Sequence, residues 1–311
     1  MIYVGGTVFY PTYFLLVGIP GLEHKHIWIS IPFCILYIIA LLGNLMLMFV
    51  IFISPRLHQP MFIFLSMLAG NDGLLCTSFT PKILSVFWFN DRAISFTGCL
   101  LQMFFIHSFT GLESGFLLSM AYDRYIAIYN PLRYSSIITS RLILRLVIVF
   151  LVRVLVLIGP CLILIKRFPA FKTNVIRHSY CEHMAVVKLA DADTHVNSVY
   201  GLFVAFTIIG CDLLLILLSY VMIFKVVFNL PSKDARLKAF NTCTPHICVV
   251  LSFYSTALFS FLSHRYGKIP PYIHILFSDI YLLLPPMLNP IIYGMKTNLI
   301  RQETWKMLRK H

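Results

Sequence analysis

The chain has 311 residues, 59% of them hydrophobic and 12% charged, with a mean hydropathy of +0.84. This excess of apolar residues excludes an ordinary soluble domain and fits a polytopic helical membrane protein. The formal net charge of +13 does not imply a nucleic-acid partner, because such a protein carries its bases on one face of a soluble fold, whereas here they flank apolar runs.

Met1 to Gly21 has neither a basic n-region nor a clear small-residue cleavage site, so the first span is expected to act as the insertion signal. Seven apolar runs follow, roughly Trp28–Ile53, Met61–Val86, Phe96–Tyr129, Leu142–Ile165, Val196–Phe228, Ala239–Ser263 and Pro271–Met295. Each is long enough for a membrane helix, about twice what a barrel strand needs. The fourth is weakened by Arg145 and Arg153. The expected fold is therefore an all-α membrane protein, a seven-transmembrane helix bundle. Its parts are an extracellular N-terminus over 1–27, a seven-span membrane domain over 28–295 with a long second outer loop at about 166–195, and a cytoplasmic tail over 296–311.

Lysine and arginine at the span ends set the orientation. One side gathers fourteen bases and three acids, among them Arg124, Arg133, Lys225, Lys238 and Lys296. The other has nine bases and five acids. The richer side is cytoplasmic, which puts the N-terminus outside and requires an odd number of spans. Beyond the last span, bases alternate with Ile300, Trp305, Met307 and Leu308, the pattern of a short amphipathic helix lying on anionic lipid at the inner leaflet.

The third run carries the chemistry. At about 1.5 Å per residue, Glu113 lies roughly 16 Å and His107 roughly 26 Å from Arg124, near the middle and in the outer quarter of a hydrocarbon core of about 30 Å. Cys99 then lies outside the bilayer. Of the eight cysteines only Cys99 and Cys181 reach the outer face, and a pair in that oxidising compartment is expected to bridge. Asp72, Glu113, Asp212 and Asp279 fall within spans, where carboxylates are costly and face the bundle interior or water. For Asp212 and Asp279 a polar contact or a water pocket suffices.

Several motifs resemble those of rhodopsin-like G-protein-coupled receptors, and within them the odorant receptors. They are G-N at Gly43–Asn44, M-A-Y-D-R-Y at Met120–Tyr125, S-Y at Ser219–Tyr220, K-A-F-N-T-C-T-P-H at Lys238–His246 and P-M-L-N-P-I-I-Y at Pro286–Tyr293. The class I (fish-like) branch is suggested by G-I-P-G-L-E at Gly18–Glu23, H-S-Y-C at His178–Cys181 and H-R-Y-G at His264–Gly267. Four departures stand out. There is no N-x-S/T sequon, Phe171 and Asp191 stand where a second loop cysteine pair is usual, Tyr129 replaces a cysteine, and Pro245 replaces a serine.

The resemblance implies a small-molecule odorant as ligand and a heterotrimeric stimulatory G protein as partner, raising cyclic AMP at the plasma membrane of olfactory cilia. It likewise implies the Cys99–Cys181 bridge. It assigns coupling and activation to Asp123, Arg124, Tyr125, Tyr220, Lys238, Asn289, Pro290 and Tyr293, with Tyr220 and Tyr293 reorganising toward Arg124. A static interfacial ion pair is the alternative for Asp123–Arg124. Asp72 and Glu113 match a central sodium site; a protonated carboxyl network is the other reading. No other cofactor is expected.

The candidate ligand groups are Phe104, His107, Gly201, Ala205, Tyr254, Phe261 and Arg265, a mostly apolar set with a few polar members. Arg265 suits a carboxylate, or else snorkels to lipid phosphate. Met184 and Phe261 replace residues that are polar in some carboxylate-binding relatives, which makes the pocket greasier. No phosphate loop, zinc spacing or nucleophile elbow suggests an enzyme. Two alternatives remain: an ion-coupled transporter, motivated by the intramembrane carboxylates but lacking an internal repeat, and a receptor product with impaired surface delivery.

Overall fold

A computed structural model describes residues 9–265 and 270–309, without the side chains of 261–265 and 308. Helix α1 (His26–Ile53) leads through a short turn to α2 (Pro60–Phe89). Pro60 occupies the first turn of α2, where its missing N–H costs nothing. The helix stops at Asn90, which takes the left-handed conformation (φ 53°) common one residue past a helix end. Ser95 opens α3 (Phe96–Tyr129) by accepting from the Gly98 N–H at 3.0 Å.

Asn130 and Pro131 end α3 and lead through the one-turn α4 (Tyr134–Ile137) to α5 (Ser140–Lys166). The second outer loop holds α6 (His183–Val187). The fifth apolar run begins as α7 (His195–Ala205), widens into a π-turn at Phe206–Gly210 and continues as α8 (Cys211–Phe228). Then come α9 (Lys233–Arg265), α10 (Pro271–Lys296) and the short α11 (Asn298–Arg309).

Six of these helical segments are long and apolar enough to cross a membrane by themselves. The seventh, α3, is 34 residues long but less apolar, because most of its residues are buried among α2, α5, α8 and α9. A central helix can carry Gln102, Glu113, Ser114 and Asp123 because protein rather than lipid surrounds it. The outer helices show the reverse. Leu42, Phe49 and Phe52 of α1, Ile148 and Leu155 of α5 and Leu214 of α8 are all exposed, a surface for lipid tails. Internal prolines stand at 32, 81, 160, 245, 285, 286 and 290, and the Pro286 carbonyl that Pro290 leaves free accepts from the Asn44 amide at 2.8 Å.

The outer end carries a feature that the apolar pattern did not reveal. Tyr13–Leu16 forms a strand, β1, which pairs antiparallel with β2 (Ala93–Ser95) and parallel with β3 (Val175–Ile176). The sheet order is β2-β1-β3, so the N-terminal strand sits in the centre. Phe14 and Leu16 point inward and are buried, as the period-two pattern of a strand requires. Beside this sheet Phe171 is only 1% exposed. Its ring lies 5.7 to 6.0 Å from those of Tyr10, Phe14, Phe96 and Phe168. The Phe171 N–H bonds the Phe9 carbonyl at 2.9 Å, and the Asp191 N–H bonds the Ala170 carbonyl at 2.9 Å. Aromatic packing and backbone pairing thus hold the segment where the second cysteine pair is missing.

Candidate functional site

The disulfide joins Cys99 at the outer end of α3 to Cys181 in the second outer loop. Gln102 supports it by accepting from the Cys181 N–H at 3.0 Å. Two residues beyond Cys181, this staple sets the buried His183 over α3, edge to face with His107 at a ring separation of 6.5 Å. Gly201 of α7 closes the group. A methyl there would stand 2.9 Å from His183 Cε1 and 3.2 Å from Nδ1, so the glycine is what admits the imidazole.

Burial holds the His183 pKa below the ordinary histidine value, and the adjacent Glu182 carboxylate offsets part of that. His107 and Gly201 therefore meet through a residue that sequence reasoning passed over. The available signal was its place two residues after the loop cysteine. Phe104 is half-buried against Phe105, and Ala205 is half-buried just ahead of the π-turn. The side chains of Phe261 and Arg265 lie outside the described residues.

Midway down the bundle, Tyr254 of α9 is buried with its hydroxyl 2.8 Å from Ser114 Oγ. Ser114 donates its single proton to Asp212 Oδ2 at 2.8 Å, so Tyr254 must donate to Ser114. Asp212 in turn receives both Arg153 η-nitrogens, Nη1 to Oδ1 at 2.7 Å and Nη2 to Oδ2 at 2.8 Å. Arg153, which looks like a flaw in the fourth run, is the counter-charge of a carboxylate in the fifth. Next to this network Asn289 donates to Asp72 Oδ2 at 2.7 Å, and Glu113 is buried within electrostatic reach of Asp72. Asp72 Oδ1, Glu113 Oε1 and Asn289 Oδ1 are buried without hydrogen-bond partners among the described residues. These are oxygen acceptors of the kind a hard cation takes.

Asp279, the remaining intramembrane carboxylate, is buried and accepts from Ser179 of the second outer loop.

At the inner end Asp123 pairs with Arg124 at 3.4 Å and accepts from the Tyr134 hydroxyl at 2.6 Å. Tyr125 stacks on Tyr129 at 5.3 Å. His246 Nε2 donates to the Leu117 carbonyl at 3.1 Å, which leaves Nδ1 to accept from Tyr220 at 2.6 Å. Tyr220 is thus committed to His246, another residue that sequence reasoning left without a role although it closes the quoted Lys238–His246 motif. Tyr293 is buried, with its hydroxyl 4.0 Å from Met120 Sδ. Pro290 packs against Gly43, where a methyl would lie 2.8 Å from its Cγ. Asn44 ties α1 to α10 through the Pro286 carbonyl at 2.8 Å. Arg124, Asp234, Lys238, Thr242 and Lys296 line a cavity of about 540 Å³ that opens at this end.

Residues 33–311 match the family model described as olfactory receptor. The chain belongs to the olfactory receptor family. Human olfactory receptor 52A1 is 55% identical over 97% of this chain and 97% of its own length. Human olfactory receptor 52A5 is 54% identical over 97% and 96%. Human olfactory receptor 52J3 is 46% identical over the whole of both chains.

The protein is thus a rhodopsin-like G-protein-coupled receptor and a multi-pass plasma-membrane protein, not an enzyme. Its relatedness to the 52 group agrees with the class I branch. The transporter reading falls for this olfactory receptor.

Proposed function

We propose that this olfactory receptor binds a small, largely apolar odorant with a polar head between α3, α7, α9 and the second outer loop. Binding there activates a stimulatory G protein and raises cyclic AMP. One observation carries the reading: α9 is hydrogen-bonded to α3 at two levels, through Tyr254 to Ser114 and through His246 to the Leu117 carbonyl. The upper contact adjoins the proposed ligand region, and the lower one adjoins the cavity that contains Arg124. A ligand that shifts Tyr254 therefore moves the helix that also holds Tyr220 through His246. Releasing Tyr220 frees it to swing toward Arg124, and the α subunit's C-terminal helix enters the inner cavity.

Phe104, His107 and Ala205 supply the walls, and Arg265, where α9 ends, offers the charge that meets a carboxylate head. Asp72 and Glu113 hold a sodium ion in the resting bundle, a role supported by their unpartnered oxygens. The test is a cyclic AMP assay in transfected cells, normalised to surface staining, across straight-chain acids, aldehydes and alcohols. Arg265→Ala should weaken acids about ten- to a hundredfold and spare the matching alcohols. Equal loss for both classes would make Arg265 an interfacial anchor.

A further inference from the structure

Asn197 stands on α7 four residues before Gly201, and residues so spaced share one face of a helix. That face receives the His183 ring at Gly201. Asn197 is only 4% exposed. Its side-chain nitrogen, which carries two donor hydrogens, has no hydrogen-bond partner among the described residues.

Another polar residue in these outer turns of α7 behaves differently: the Tyr200 hydroxyl donates to the Leu157 carbonyl at 3.0 Å. A buried donor left unpaired is costly, and an apolar residue of similar volume would avoid that cost. The position of Asn197 adds a reason for keeping it. It is one turn outward from the contact that joins α7, the loop helix α6 and, through His183, His107 of α3.

We infer that Asn197 is a further ligand-recognition residue, whose amide donates to a carbonyl or carboxylate oxygen on an odorant seated beside the His107–His183 pair. The inference rests on the reading of the outer half as the ligand site. The sense of the hydrogen bond selects the ligand class. A carbonyl or carboxylate oxygen accepts and brings no proton that needs a partner. A protonated amine head brings only donors and would face another donor. The expected ligands are therefore medium-chain acids, aldehydes or ketones, and the expected non-ligands are the matching amines.

The experiment compares the wild-type receptor with Asn197→Leu and Asn197→Gln at matched surface staining, titrated with octanoic acid, octanal and octylamine. The wild type should respond to the acid or the aldehyde and not to the amine. Asn197→Leu should raise the half-maximal concentration tenfold or more, and Asn197→Gln, which keeps the donor, should restore much of the response. A second arm measures thermal unfolding of the purified, odorant-free receptors. There Asn197→Leu should melt at or above the wild type, because the donor it removes has nothing to bind.

Unchanged potency in Asn197→Leu, an equal response to octylamine, or a lower melting temperature in the odorant-free state each overturn the inference. Silence of the wild type to both oxygen compounds overturns the carbonyl assignment. A response of that same receptor to hydrocarbon or terpene odorants would leave the odorant-receptor reading standing.

Discussion

Arg153 and Asp212 clasp each other through two near-parallel hydrogen bonds of 2.7 and 2.8 Å, each residue about halfway along its apolar segment. Two charges at that depth are tolerable only as a pair, and removing one partner strands the other at a cost of about 3–5 kcal/mol. Arg153→Met and Asp212→Leu should each sharply reduce surface delivery and thermal stability. The double substitution should be milder than either single change. Additive losses in a double-mutant cycle would show that the two residues do not act as one unit.

Gly201→Val should disturb the outer site while leaving the bundle folded. The new side chain competes with His183 Cε1 for space, a contact of 2.9 Å already at Cβ. The odorant response should fall at least tenfold with normal staining, and adding His183→Ala should recover part of it. If the second change gives no recovery, His183 is not what Gly201 makes room for.

Arg124→Ala should abolish cyclic AMP signalling with surface expression largely intact. The residue lines the inner cavity, and its only ion-pair partner among the described residues is Asp123. Full signalling from that variant would mean that Asp123–Arg124 is merely an interfacial ion pair.

Acidification should loosen the outer loop through His183. Its pKa is lowered by burial in the folded state, so the unfolded state binds more protons between the folded value and the ordinary value near 6.5. Stability therefore falls as the pH drops below about 6.5. Glu182 opposes the shift, and His107 faces the same ring. His183→Gln should flatten the melting temperature between pH 7 and pH 5 relative to wild type. An unaltered slope would assign the pH response to another group.

Phe171→Ala should cost about 3–5 kcal/mol, the usual penalty for truncating a fully buried phenylalanine. It should show as loss of surface staining, since Phe171 joins the N-terminal strand to the second outer loop. Normal delivery would mean that backbone pairing alone secures this segment.

The seven runs were legible because a bilayer demands long apolar segments, and that signal is local. The α3 ends, Phe96 and Tyr129, were equally clear because polar turn residues bound an otherwise continuous run. What escaped were relationships between distant positions. Arg153 and Asp212 are 59 residues apart, and each alone reads as a defect in its own span. Gly201 looks like a lining residue until the His183 ring is seen against it. His246 gives no hint of its role until Tyr220 and the Leu117 carbonyl converge on its two nitrogens. The strand at Tyr13–Leu16 is too short to announce itself, and its partners lie about 80 and 160 residues away in the chain.

The central place of β1 in the β2-β1-β3 sheet also sets a timetable for biogenesis. The first-made strand reaches the lumen with both edges bare and stays so until two helices have been inserted and β2 follows. Its second edge waits longer still, for the loop between α5 and α7. A nascent receptor therefore displays an open, adhesive strand through much of its synthesis. The sheet closes only when the second outer loop arrives and supplies β3.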